Sequence, residues 1–306
     1  MVDEPAGDRP RDRSAPGDEP RAPAAAADLA EAIEALLVGG PAESRFLRYL
    51  DVPGVTASMG PGPEPAENRV GCSDLDADMA DETVRLLGAR YGAAGRGARW
   101  FVTRRTRPSD LAERLARAGW QRNEHADLLG MAIPLDHDGV PGPERDEDEP
   151  HVVASSVEDR VVRRVGIGDL RRHVDVLASG FGTSTPEWLG TLDMLSAGAL
   201  PGCRFEHYLA YEGGVPIGFG SSLVDDTRRV TLLGGSAVVR EARGRGHYRA
   251  LVRARLDDAR ACGSVAAVVQ ANPATSAPIL QRLGFTLVVA ISAYDLPRAD
   301  APAGRW

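Results

Sequence analysis

The chain has 306 residues, of which 43% are hydrophobic and 26% charged, and its formal net charge is −8 at pH 7. This length is enough for about two domains, and the composition predicts a packed core. An acidic chain is poorly suited to nucleic-acid phosphates, and no apolar run approaches the roughly 20 residues of a membrane span. We therefore expect neither a nucleic-acid nor a membrane partner. Cys72, Cys203 and Cys262 lack the spacing of a metal site, so we expect no metal and a cytoplasmic protein.

Two segments have the composition of unstructured chain. Residues 1–27 are rich in Pro, Asp, Arg and Ala without the apolar segment of a secretory signal, which predicts a disordered tail. Residues 136–157 contain the acidic, proline-bearing run 141–150, which predicts a linker because like charges repel and Pro interrupts helices and strands. The linker separates an N-terminal α/β unit, 28–135, from a C-terminal unit, 158–298.

Helix and strand signals alternate in the N-terminal unit. Apolar residues at helical spacing predict helices over 28–37, 81–91 and 110–118. Short β-prone runs predict strands over 55–59, 68–72, 100–103 and 128–133. We therefore expect an α/β fold for this unit.

The C-terminal unit alternates in the same way. Helices are predicted over 167–178, 186–195, 246–261 and 275–283. Strands are predicted over 161–165, 207–211, 217–223, 230–239, 265–270, 285–291 and 292–295. The order β-α-α-β-β-β-α-β-α-β predicts a mixed sheet with helices packed against it, again an α/β fold.

A basic, glycine-containing segment joins the strand predicted at 230–239 to the following helix. Gly244 and Gly246 allow a tight turn and close approach to a ligand. The N–H groups of the first helical turn add a site for an anion such as a pyrophosphate. Four arginines add positive charge: Arg240, Arg243, Arg245 and Arg249. The alternative interpretation is a solvated basic turn capped by glycines.

This segment resembles the phosphate loop of the GNAT superfamily of acyl-CoA-dependent N-acetyltransferases, Arg/Gln-x-x-Gly-x-Gly/Ala between a strand and a helix. Arg243 and Gly246 match that pattern, whereas Tyr248 stands where the family has a small residue. Asn272 after the next strand, and Leu-Gly-Phe at 283–285, are also similar to the family. The resemblance implies the GNAT fold for the C-terminal unit.

The N-terminal unit resembles the family more weakly. Residues 107–120 are similar to the family's helix that ends in Leu-Gly-Phe, with Ala118 and Trp120 at the two apolar positions. No phosphate-loop pattern precedes this stretch. The resemblance implies a degenerate second GNAT-like fold in tandem, and the alternative is an unrelated α/β domain.

The resemblance also implies where acetyl-CoA would bind. Its pantetheine arm would lie beside the strand that precedes the loop, where a backbone N–H near Ala237 or Val238 would polarise the acyl oxygen. The implied cofactor-binding residues are Ala237, Val238, Val239, Arg243, Gly244, Arg245, Gly246, His247, Tyr248 and Asn272.

The catalytic side chains are left open by the sequence. Many relatives use a Tyr as general acid five residues before the Phe of Leu-Gly-Phe, and that position is Leu280 here. The candidates for proton transfer are Ser236, Tyr248, Ser276, Tyr294, Glu206, His207 and Asp225. Phe181, Trp188 and Leu192 fall where relatives build the acceptor pocket, although a plain core stripe explains their spacing equally.

The resemblance implies an N-acetyltransferase in which an amine of a small molecule or peptide attacks the thioester of acetyl-CoA directly. We expect a monomer or a homodimer. Two alternatives remain: a CoA-binding regulatory module without catalysis, and a transferase of a longer acyl group or of thiol-cofactor biosynthesis.

Overall fold

A computed structural model describes residues 26–135, 152–154 and 160–298. The predicted tail, 1–27, and the predicted linker, 136–157, lie largely outside these residues. Where the sequence predicts linker, residues 152–154 instead form a strand. No helix in the described ranges combines the length and the apolar character needed to cross a membrane.

The described residues of the N-terminal half form three α-helices and six strands. The helices are α1, Ala26–Val38; α2, Ala77–Ala93; and α3, Leu111–Arg117. The strands are β1, Arg48–Leu50; β2, Thr56–Met59; β3, Asn68–Gly71; β4, Ala98–Val102; β5, Gln121–Arg122; and β6, Leu128–Pro134. The very short β1 and β5 were not predicted from the sequence, because two or three residues carry no periodicity.

In the C-terminal half, the part of the chain that the structure describes forms five α-helices and seven strands. The helices are α4, Ile167–Arg172; α5, Val174–Phe181; α6, Thr185–Leu195; α7, His247–Ala261; and α8, Ala277–Gln281. The strands are β7, Val152–Ala154; β8, Arg160–Val165; β9, Cys203–Glu212; β10, Val215–Asp225; β11, Val230–Val238; β12, Ala266–Ala271; and β13, Thr286–Leu296. The helix predicted over 167–178 is interrupted at His173, and the two strands predicted over 285–295 are the single strand β13.

One mixed sheet runs through both halves in the order β1-β2-β3-β4-β13-β6-β12-β11-β10-β9-β8-β7. The two parallel pairs, β3 with β4 and β11 with β12, are joined by the crossover helices α2 and α7. β6 lies between β12 and β13, and β13 continues from β6 to β4. Hydrogen bonding within the sheet therefore crosses the boundary predicted at 136–157, and the division of the chain into two domains stays a prediction.

Helices cover both faces of the C-terminal strands. On one face, Leu251 and Val252 of α7 are fully buried against the sheet. On the other face, α1 packs its fully buried Ile33 into a cluster that includes Leu232 of β11 and Val268 of β12. The first described helix of the chain thus contributes to the core of the second half.

A buried ion pair fixes the end of β13 in the N-terminal part of the sheet. Arg99 of β4 donates from Nε and a terminal nitrogen to the two carboxylate oxygens of Asp295, at 2.7 and 2.9 Å. Asn123 donates a third hydrogen bond to Asp295, at 2.7 Å. The Asp295 side chain is only 4% exposed, so its charge depends on these partners for compensation.

We expect Asp295→Ala to lower the free energy of unfolding by about 3 to 5 kcal/mol, because it leaves the guanidinium of Arg99 without its partner. The measurement is equilibrium unfolding in urea. The matched control is Asp257→Ala, which removes an ion pair to Arg260 from a carboxylate that is 58% exposed. The control should change stability by less than about 1 kcal/mol. Equal effects of the two variants would contradict the role assigned to Asp295.

Candidate active site

The central feature of the C-terminal half is an opening between two parallel strands. β11 and β12 pair at three positions only, from Val230 with Ala266 to Leu232 with Val268. β11 continues to Val238 and β12 to Ala271 without further pairing to each other. We call the space between these unpaired ends the β11–β12 opening. It offers backbone polar groups inside a sheet to an extended ligand.

A glycine-containing loop stands at the mouth of this opening. β11 is followed by a 3₁₀ turn over Arg240–Ala242, and then by Gly244 and Gly246 with φ of 77° and 88°. These left-handed conformations favour glycine. The first hydrogen bond into α7 runs from Ala250 N to Gly246 O, at 3.1 Å. The N–H groups of the preceding turn lie at the positive end of the helix, which suits an anion.

Two of the predicted cofactor-binding arginines are engaged within the protein. Arg243 donates to the carbonyl oxygens of Val238 and Gly180, each at 3.0 Å, and so ties the loop to β11 and α5. Arg245 donates to the carboxylate of Glu212 at 2.7 Å and to the carbonyl of Glu241 at 2.6 Å. These two side chains therefore shape the loop, whereas Arg240 and Arg249 are exposed.

Glu212, at the end of β9, contacts the loop although no pattern in the sequence predicted that contact. Besides Arg245, its carboxylate contacts Nε2 of His247 at 3.2 Å. His247 opens α7 with its side chain 1% exposed, and its Nδ1 has no hydrogen-bond partner within the described residues. His247 is thus a buried part of the loop's anchorage rather than a solvent-facing group.

Tyr248 lies at the base of the opening. Its ring packs between two hydrophobic clusters, one containing Val269 of β12 and the other Val238 of β11. Burial raises the pKa of the Tyr248 phenol, so the hydroxyl is protonated at neutral pH. Tyr248 therefore fills space that the family's small residue leaves free.

The other predicted site residues lie on β11, on β13 and in the turn before α8. Ser236 donates to the carbonyl of Phe219 and accepts from Arg255, both at 3.2 Å. Asn272 uses Oδ1 to accept from the N–H groups of residues 274 and 275, which closes the turn before α8. Tyr294 is on β13 opposite Trp100, on the far side of β6 and β12 from the loop. Ala237 and Val238 pair with β10, and Val239 leads from them into the loop.

Most of the side chains considered for proton transfer have structural roles. Leu280 is fully buried in the core. Asp225 holds a turn by accepting from the backbone and side chain of Arg228, and Glu206 lies 3.4 Å from Arg164. Ser276 accepts from the backbone N–H of Asn272.

His207 differs from these side chains because its Nδ1 is buried without a hydrogen-bond partner in the described chain. Its ring stacks on Phe205 with centroids 6.1 Å apart. Burial lowers the pKa of His207 to about 4, so the imidazole is neutral at pH 7.

An aromatic cluster covers β11 beside the opening. Phe181 and Trp188 lie 5.0 Å apart between ring centroids, and Trp188 lies 5.6 Å from Phe219. Phe181 is 38% exposed and approaches to 3.3 Å from where a Cβ of Gly235 would be. Leu192, in contrast, is fully buried. Leu192 shares a buried cluster with Phe219, and Trp188 packs against that cluster, so the structure brings the three predicted acceptor-wall residues close together.

Known proteins were compared by sequence and by structure. Residues 183–285 match the model of the acetyltransferase (GNAT) family, whereas no curated protein matches the sequence. A GCN5-related N-acetyltransferase from Kribbella flavida is 17% identical, with 83% of this chain and 90% of that chain covered and a TM-score of 0.54. A tandem GNAT protein from the clavulanic acid biosynthesis pathway is 14% identical, with 92% of this chain and 98% of that chain covered and a TM-score of 0.56. A GCN5-related N-acetyltransferase from Sphaerobacter thermophilus is 18% identical, covering 82% and 84%, with a TM-score of 0.50.

At these identities the structural likeness shows the fold, whereas the family match locates the segment of the chain that is similar to the family in sequence. The match begins at residue 183 and ends at Phe285, so it contains the β11–β12 opening and the loop of α7. The α/β fold expected for both halves and the resemblance to the GNAT superfamily are confirmed. Residues 183–285 thus match the GNAT acetyltransferase family, within a chain that shares the fold of a tandem GNAT protein.

Proposed function

We propose that this protein is a cytoplasmic N-acetyltransferase that moves an acetyl group from acetyl-CoA to an amine of a small molecule or peptide. The supporting observation is the β11–β12 opening with the N-terminus of α7 at its mouth. The amides around Gly246 would hold the pyrophosphate, and the pantetheine arm would extend along the unpaired edge of β11. The aromatic cluster of Phe181, Trp188 and Phe219 would border the acceptor.

The reaction needs an attacking amine, a polarised carbonyl and a protonated leaving group. The neutral amine attacks the thioester carbon, and a backbone N–H near Ala237 stabilises the oxyanion. The C–S bond then breaks, the CoA thiolate leaves, and the amine nitrogen loses its extra proton to water. Of the seven candidates for proton transfer, Tyr248 is the one that packs against hydrophobic clusters from both strands of the opening, with Val238 of β11 and Val269 of β12. We therefore favour Tyr248 as the donor to the thiolate.

Leu280 supports a second candidate function, a CoA-binding regulatory module without turnover. This side chain is fully buried at the position where many relatives carry the general acid. The two functions are separated by a thiol-release assay with an amine panel and with acetyl-CoA, succinyl-CoA and longer acyl-CoA. Tight CoA binding without thiol release on any amine would favour the module.

The N-terminal half repeats the strand–helix–strand arrangement without an equivalent opening. β3 and β4 are parallel and joined by α2, as β11 and β12 are joined by α7. Beyond β3, however, Ser73 accepts from Arg107 N at 2.8 Å, and Arg107 O accepts from Leu75 N at 3.2 Å. The fully buried Trp100 also donates to Ser73 Oγ at 2.9 Å. Asp78, in the first turn of α2, adds negative charge where a phosphate would need positive charge.

We therefore expect one CoA molecule to bind per chain, in the C-terminal half. Isothermal titration calorimetry with CoA measures the stoichiometry directly. A stoichiometry near two per chain would contradict the interpretation that Trp100 and residues 73–75 occupy the equivalent space in the first half.

Gly246→Asp tests the phosphate loop. The variant places a carboxylate and a strained left-handed residue at the anion site, so CoA affinity should fall roughly 100-fold. The matched control is Gly263→Asp, at the C-terminal end of the same helix, where φ is 78° against 88° at Gly246. The control carries similar backbone strain and should bind CoA as the wild type does. Unchanged affinity in Gly246→Asp, measured by calorimetry, would refute the placement of the pyrophosphate.

The buried His207 predicts a pH dependence of stability. Its folded-state pKa of about 4 lies below the ordinary value near 6.5, so the unfolded chain binds more protons between these values. Above pH 6.5 the neutral ring contributes fully to the free energy of unfolding. As the pH falls from 6.5 toward 4, the free energy of unfolding decreases by about 3 kcal/mol. Urea unfolding of the wild type and His207→Gln at pH 7 and pH 4.5 isolates this contribution. The wild type should lose more stability than the variant, and equal losses would show that His207 does not titrate in this way.

A further inference from the structure

A β-bulge lies in β11 where that strand borders the opening. Ser222 of β10 pairs with Leu233, and Gly220 pairs with Ser236. Gly234 and Gly235 therefore face the single residue Ser221. A bulge interrupts the hydrogen-bond ladder and leaves polar backbone groups in need of other partners.

Arg255 of α7 supplies those partners. One terminal nitrogen of its guanidinium donates to the carbonyl oxygens of Ser221 and Gly234, at 3.0 and 3.2 Å. These carbonyls lie on the two sides of the bulge. The other terminal nitrogen donates to Ser236 Oγ at 3.2 Å, and Nε donates to Leu251 O at 3.0 Å. A single planar group thus joins α7 to both strands at the irregular position.

The surroundings of Arg255 leave it little freedom. Its residue exposure is 1%, and its Cζ lies 3.2 Å from where a Cβ of Gly220 would be. Burial lowers the pKa of the guanidinium. The four hydrogen bonds described for it all end on neutral oxygens. A buried cation held in this way is costly to the fold, so its retention calls for a reason other than packing.

The position of the bulge supplies such a reason. The bulge begins two residues after Leu232, the last residue of β11 that pairs with β12, and it ends just before Ser236 and Ala237. Its conformation therefore sets the direction of the backbone N–H groups along the edge that faces the opening. The positive charge of Arg255 lies beside the same stretch, where it would favour negative charge that develops on an acyl oxygen.

We propose that Arg255 is a positioning residue for acyl transfer. It holds the Gly234–Gly235 bulge in the conformation that polarises the thioester carbonyl, and its charge contributes to that polarisation. This proposal rests on the acyl-CoA site proposed above. Arg255 acts through the backbone of β11 and does not itself contact the reacting atoms.

The test compares Arg255→Met and Arg255→Lys with the wild type. The matched control is Arg253→Met, which changes an exposed arginine on the same helix. Acetyl-CoA labelled with ¹³C at the carbonyl reports polarisation through its bound chemical shift. In Arg255→Met the bound signal should move upfield toward that of free acetyl-CoA, and kcat should fall about 100-fold. The affinity for CoA, which has no acyl carbonyl, should change less than about threefold, because the loop at Gly246 is intact.

Arg255→Lys keeps the charge but not the planar fork, so it should show the same changes at smaller size. If Arg255→Met does not fold, Arg255→Lys alone provides the test. Wild-type ¹³C shift and kcat in both Arg255 variants would overturn the proposal. So would equal losses in Arg253→Met, because these would indicate a general effect of α7.

Amide hydrogen exchange of residues 233–236 in the CoA-free protein tests the same proposal without any ligand. Exchange should accelerate at least about tenfold in Arg255→Met and stay unchanged in Arg253→Met. A wild type that binds no CoA would defeat the proposed function, whereas unchanged exchange in Arg255→Met would defeat the role of Arg255. The two failures are therefore distinguishable.

Discussion

Two parallel strands that begin as neighbours and then part are the constraint on which this structure depends. β12 makes three pairs with β11 but six with β6, from Ala266 with Pro134 to Ala271 with Leu129. The hydrogen bonds to β6 hold β12 along its whole length while it leaves β11. Because β6 comes from the first half of the chain, the opening of the second half depends on a strand that the first half provides.

The loop at the mouth of the opening has the backbone geometry that the proposed anion site needs, within an acidic chain. Two of its four arginines are engaged within the protein, whereas Arg240 and Arg249 are exposed. Arg243 is fixed by carbonyl oxygens, and Arg245 is paired with the carboxylate of Glu212. The attraction for a phosphate would therefore come mainly from oriented amides and the end of α7, which need geometry rather than net charge. This explains why left-handed glycines matter more at this loop than its number of basic residues.

The local elements of the fold were largely predictable from the sequence, and their partners were not. The alternation of helices and strands, the loop after β11 and the core position of Leu280 follow from periodicity, glycine placement and family resemblance. The insertion of β6 between β12 and β13 has no local signal, because any apolar strand of that length suits several neighbours. His207 was interpreted as a satisfied structural histidine, yet its Nδ1 has no partner in the described chain. Arg255 gave no signal either, since an arginine on an amphipathic helix ordinarily faces solvent.

The two halves differ in what lies beside their parallel pairs of strands. In the first half, the chain beyond the parallel pair is joined by hydrogen bonds between Ser73, Leu75 and Arg107, and the fully buried Trp100 donates to Ser73 Oγ. This arrangement costs little free energy, because apolar area is buried and the backbone polar groups have hydrogen-bond partners. In the second half, the corresponding space stays open, and the irregular edge beside it is held by a buried cation. Replacing buried charge by apolar groups often stabilises a protein. Stability alone would therefore favour the arrangement of the first half in both halves of the chain. The difference between Trp100 and Arg255 therefore supports the proposal that the acyl-CoA site lies in the second half, where the fold contains an arrangement that packing does not require.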